Sequence, residues 1–326
     1  MIDFRYHIVS LIAVFLALAL GLFLGSTTLQ STVTHNLQNQ AHHVNSLNRQ
    51  LNDNFDAAKG ELGQANAFTD AVEPYAVSER LLGQSVAVIA APGVDDGQTK
   101  ALVKTLDESG ATITADVSLE AAFLDPTQDA ELGALAQEIK LPGRRLPHGR
   151  GALAASAVLA DALLTKPGRP AISRGRVDAA LASLVQGKFI SVSGTPASHP
   201  GELAVLLVPA ANTSQSTVAT NAENTVLLGL AADLRAASRA TVLAGPTPGR
   251  GGDTGALSAA RADAALSKTV STVSIEPDAG VVPHVAGNPA AGRIAVVLGL
   301  ASGLTGTVGS YGLEQTPPLP TPSPTP

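Results

Sequence analysis

The chain has 326 residues, with 21 basic against 27 acidic side chains and a formal charge of −6. Hydrophobic residues make up 45% and aromatic ones only 3%, with no Trp, no Cys and Met1 as the sole methionine. That balance argues against a nucleic-acid grip, which needs excess positive charge. It also rules out disulfides, zinc fingers, CxxC redox pairs, thiol nucleophiles, acylated lipoprotein anchors and sulfur ligands for Cu(I) beyond Met1.

Residues 1–7 read as a cytoplasmic tail and 8–28 as a transmembrane helix. Ile8 to Gly25 is IVSLIAVFLALALGLFLG, where Ser10 is the only polar side chain. Eighteen residues at about 1.5 Å each span roughly 27 Å, close to the hydrocarbon thickness of a bilayer. Arg5 precedes the run and the next basic residue is Arg49. This asymmetry places the N-terminus in the cytoplasm and all that follows the helix outside it. A cleaved signal peptide is the competing reading, but the run exceeds the usual ~7–15 residues and no clean A-x-A site follows.

A coiled-coil stalk is expected over 29–78. Thr34, Leu37, Ala41, Val44, Asn48, Leu51, Phe55, Ala58, Leu62, Ala65, Thr69 and Val72 alternate spacings of three and four, and no proline intervenes before Pro74. Sustained a/d apolarity points to supercoiled association, and Asn48 at an a position favours a parallel homodimer. The alternative is a long helix folding back on its own domain. His35, His42 and His43 sit in this stalk. His35 and His42 share an outer b position one heptad apart, while His42 and His43 splay by about 100°. Neither pair has the i, i+4 spacing of helical chelation, so solvated histidines are expected rather than a metal site.

Residues 79–313 read as an extracytoplasmic α/β domain. Strands are expected at Ser85–Ala91, Ala111–Val117, Lys188–Val192, Leu203–Val208, Thr241–Ala244 and Val270–Ile275. Helices are expected at Asp95–Ser109, Ala152–Leu164, Val177–Val185, Thr225–Ala237 and Ala290–Leu304. Apolar strands alternating with helices predict a doubly wound, mostly parallel, three-layer sheet. Ala290–Leu304 contains Arg293 and is short for a second span, so it reads as a buried helix. The tail 314–326 (EQTPPLPTPSPTP) carries prolines at nearly every other position and is expected to be disordered and PPII-like.

A doubly wound sheet binds ligands at the carboxyl ends of its strands. There, Asp95 and Asp96 could hold a metal, or could simply complement the dipole of the helix they open. Gly249–Gly255 (GRGGDTG) could cradle a phosphate, or be a plain loop; it lacks the GK[ST] of a P-loop. No GxGxxG follows the first strand and no GxSxG elbow occurs. His148, His199 and His284 are scattered beside Pro or Gly. No catalytic, cofactor or metal residues are assigned, and the chain is not expected to be an enzyme.

The N-terminus FRYHIVSLIAVFLALALGLFLGS, the first strand and loop VAVIAAPGVDDGQTKALVKTLDESGAT and the closing AAGRIAVVLGLASGLTGTVGSYG resemble the mycobacterial copper transport protein B family, MctB, over all but the proline-rich tail. The resemblance implies an actinobacterial cell-envelope protein of copper homeostasis or efflux, with copper as the implied ligand. A related SteB-like branch implies instead a dimeric adaptor that links a cytoplasmic partner to cell-wall hydrolysis at division. The resemblance carries no ligand or catalytic residues onto positions of this chain. A single apolar helix encloses no pore without several copies, and the strands lack the alternation of an outer-membrane barrel.

Overall fold

The computed structural model describes residues 4–139, 146–147, 149–168, 172–194, 199–212, 214–246, 254–276 and 288–312, and within the first helix the side chains of 6–25 and 40–77. The expected PPII tail 314–326 lies outside the described residues. Two compact units form, Met1–Gln64 and Ala65–Pro326.

Helix α1 is Phe4–Val77. Its segment Tyr6–Gly25 has a mean hydropathy of 2.8 with none of it buried, and is the one described stretch long and apolar enough to cross a membrane. Farther along, Val44, Leu51 and Phe55 are 54%, 64% and 64% exposed, so these three apolar heptad positions stand bare in the single chain.

Among the described residues, the second unit is built on one seven-stranded sheet. In chain order the strands are β1 (Ser85–Ala90), β2 (Thr112–Leu119), β3 (Ile190–Ser193), β4 (Leu203–Leu207), β5 (Ala240–Gly245), β6 (Ser271–Ser274) and β7 (Ser310–Tyr311). Their spatial order is β3-β2-β1-β4-β5-β6-β7. All pairs are parallel except β2 with β3. The helices are α2 (Asp96–Glu108), α3 (Ala121–Leu124), α4 (Asp129–Ile139), α5 (Gly151–Leu163), α6 (Arg174–Gln186), α7 (Thr217–Ala237), α8 (Ala256–Ala262) and α9 (Pro289–Leu304).

The central strands are buried on both faces, which is why they read as unbroken apolar runs. Val86 and Val88 of β1, with Val205 of β4, meet α2 and α9 through Leu102, Leu106, Val297 and Leu300. The alternate residues Ala87, Ile89, Ala204 and Leu206 meet α5 and α7 through Val158, Leu159, Leu227 and Leu230. Mixed α/β architecture with a mostly parallel sheet is thus as the alternation implied. The unexpected pieces are weakly patterned: α4 buries only Leu132 and Ala136, and α7 starts at Thr217 because Ser216 caps it by accepting from the Ala219 N–H. Helix α4 crosses α5 so closely that a Cβ on Gly151 would collide with the Asp129 carbonyl oxygen. The Asp129 carboxylate meanwhile accepts from the N–H groups of Gly151 and Ala152 at 2.8 and 2.9 Å, a negative charge on a helix N-terminus. On the last strand, Tyr311 is buried and its carbonyl accepts from Arg261 Nη2 at 2.9 Å.

The last turns of α1 belong to this unit through a buried ion pair. Glu73 is only 6% exposed. Its Oε1 accepts from Arg293 Nε at 2.8 Å and from the Thr105 hydroxyl at 2.6 Å, and its Oε2 from Arg293 Nη2 at 2.6 Å. Asp70 adds a looser contact to Arg293 at 3.8 Å. Asn288, the N-cap of α9, donates to Thr69 Oγ1 at 2.9 Å. Arg293, the charge that spoke against a second span, is therefore the anchor of α1 on α9. Removing one member of a buried pair leaves an uncompensated charge. Arg293→Met should accordingly lower unfolding stability by about 3 kcal/mol, whereas Glu73→Met/Arg293→Met should recover most of the loss. Urea unfolding of both variants checks this; equal losses in the two would contradict it.

Candidate functional site

Strand β1 runs out through Pro92 and Gly93 into α2, which packs on one face of the sheet. Its neighbour β4 runs out through Pro209 to Asn212 into α7, which packs on the other. The chain therefore diverges between β1 and β4, the topological switch point where open α/β sheets leave a crevice. Gly93 holds φ +89, a left-handed conformation that favours glycine, and lies against Pro209 of the neighbouring loop.

A cleft of about 390 Å³ lies at this point, within the size range of small-molecule sites. Its apolar walls are Pro92, Leu124, Pro209, Leu227 and Ala256, and its polar groups are Asn212, Gln215, Thr220, Glu223 and Asn224. Gln215 Nε2 donates to Glu223 Oε1 at 2.6 Å. Asn224 Nδ2 donates to the Thr254 carbonyl at 2.5 Å, and Asn212 Oδ1 accepts from the Ser214 N–H at 3.0 Å. No Lys, Arg or His is among the described lining residues. A wider groove along α4 and α5 has its charges engaged: Asp129 caps α5, and Arg150 donates to the Ala222 carbonyl at 3.3 Å.

The residues singled out from sequence fall elsewhere. Asp95 is the N-cap of α2, its Oδ1 accepting from the Gln98 N–H at 3.0 Å, and Asp96 opens the same helix. The capping reading therefore accounts for both. Of GRGGDTG, residues 249–253 lie outside the described residues, while Gly255 precedes α8 and lines the cleft. His42, His43 and His199 are exposed; His148, His284 and the His35 side chain lie outside the described residues. Among the described residues no three His, Asp or Glu side chains are grouped to hold a metal ion. Sequence reasoning missed Asn212, Gln215, Glu223 and Asn224. The available signal was their place after an apolar strand, but only strand order reveals that β4 borders β1.

Residues 1–322 match the family described as copper transport outer membrane protein, MctB. The chain belongs to the MctB family. Among curated relatives it is similar to the copper transporter MctB of Mycobacterium tuberculosis (strain ATCC 25618 / H37Rv), 31% identical over 319 residues and 96% of each chain. The same figures hold for the Mycobacterium bovis protein of that name. The Mycobacterium leprae (strain TN) protein is 28% identical over 321 residues, again 96% of each chain. These names give no support to the SteB-like alternative.

One carboxylate beside α2 has a shifted titration. Asp116 of β2 is pushed above the usual carboxylate range, first by burial, then by the neighbouring charge of Asp96, with Lys100 partly offsetting both. Its Oδ1 is buried with no hydrogen-bond partner among the described residues. A carboxylate with a raised folded pKa destabilises the fold once pH exceeds its unfolded value. Asp116→Asn should therefore raise the melting temperature at pH 7, and the gain should vanish as pH falls below the unfolded carboxylate range. Thermal melts across pH check this; a loss at pH 7 would contradict it.

Proposed function

We propose that this protein is a copper transport protein of the MctB type, held in the cell membrane by one helix, with residues 1–7 cytoplasmic and the α/β domain outside. The match of residues 1–322 to the copper transport family carries this reading, because it includes the apolar N-terminal helix as well as the sheet domain. The Arg5-to-Arg49 gap in positive charge supports the orientation. The domain works by binding rather than covalent catalysis, and copper held by it is Cu(II) on imidazole and carboxylate donors, since thiolates are missing.

A lone apolar helix encloses no aqueous path, so the reading calls for association. The bare Val44, Leu51 and Phe55 stripe, with Asn48 at a core position, supports a parallel dimer through α1. Anchoring both chains in one membrane fixes their direction and raises their effective concentration.

Cells lacking the protein should retain more copper than cells with it restored, measured by elemental analysis after copper exposure; equal contents would overturn the transport reading. The purified full chain in detergent should be a dimer by light scattering. Replacing Leu51 and Phe55 with Asp should split it, because charge enters a dry interface. A monomeric wild type, or a dimer indifferent to the double change, would sink the seam.

A further inference from the structure

We propose that the cleft between β1 and β4 binds a small organic cation, an alkylammonium or guanidinium group carried on a short apolar body. At Gln215 and Asn224 the hydrogen bonds each engage one N–H of the side-chain amide and leave the amide oxygens to the cleft. Gln215 donates to Glu223 Oε1 at 2.6 Å, and Asn224 to the Thr254 carbonyl at 2.5 Å. Among the described residues no donor reaches Glu223 Oε2, Gln215 Oε1 or Asn224 Oδ1. Three acceptors, one of them charged, thus border a cavity that holds no described Lys, Arg or His to neutralise them.

Such a site asks for donors and positive charge. An ammonium supplies three N–H donors and a guanidinium five, with no acceptor to waste. An anion would meet the carboxylate of Glu223 with no described cationic side chain in the lining to offset it. A metal ion is a poorer match, because one carboxylate and two neutral amide oxygens fall short of the oxygen shell a hard cation takes. The walls complete the selection: Pro92, Leu124, Pro209 and Leu227 offer apolar surface to a methylene chain, which keeps its charged end at the polar side. The inference is independent of copper transport, so failure of either leaves the other standing.

n-Butylamine and n-pentylamine, each with one charged end, are the probes, titrated calorimetrically into the full chain in nanodiscs, with glutarate and calcium chloride as counter-probes. Both amines should saturate the protein with a Kd on the order of 1 mM or tighter, as suits ligands of so few atoms. Glu223→Gln, which keeps the side-chain shape, should weaken them about tenfold or more by removing a charged acceptor. Ala210→Lys, at an exposed lining position, should abolish binding by placing a tethered ammonium in the cleft, without lowering the melting temperature. The proposal is overturned if neither amine saturates, if glutarate or calcium binds as well as the amines, or if both variants bind like the wild type.

Discussion

The bidentate contact between Glu73 and Arg293 joins residues 220 positions apart in the chain, and the packing on that side of the sheet depends on it. Two charges removed from water are tolerable only when their hydrogen-bonding capacity is met. Here Arg293 serves both carboxylate oxygens and Thr105 adds a third bond, so α1, α2 and α9 share one polar knot inside an apolar layer. Around it Val77 and Leu81 seat in the core with Leu102 and Leu106. Pro74 falls within the same helix, where it supplies no N–H to the Asp70 carbonyl. The side-chain contacts on either side of it hold the last turn in place.

Residues 65–77 consequently have a double character. By heptad pattern they continue the seam, yet Thr69, an a position, is bound by Asn288 of the sheet domain. Phe68 and Tyr75 stay exposed beside it. Helix periodicity alone cannot distinguish a residue that meets a second helix from one that meets its own domain, because both are apolar or small on one stripe.

The sheet was legible for a definite reason. Strands such as SVAVIA and LAVLL are covered on both faces, so burial writes itself as continuous apolar runs. What could not be read was the order of those runs and the reversal of β3, which are set by contacts far apart in sequence. The candidate site lies in that blind spot. Glu223 and Asn224 sit in the polar first half of α7, where the apolar repeat is thin, and they acquire meaning only when β4 lands beside β1. Asp95 and Asp96 were visible as an acidic pair opening a helix, and capping absorbs them. The family resemblance, by contrast, was legible because the N-terminal run is long, apolar and specific in wording.

The shortage of aromatic residues has a spectroscopic consequence. With no tryptophan and only three tyrosines in the chain, ultraviolet absorbance rests on the phenols. Tyr6 and Tyr75 are exposed, whereas Tyr311, on the last strand, is buried. Burial raises its pKa above the ordinary phenol value. Its late ionisation at alkaline pH is therefore a built-in optical gauge of whether β7 is docked on β6, obtained without attaching any label.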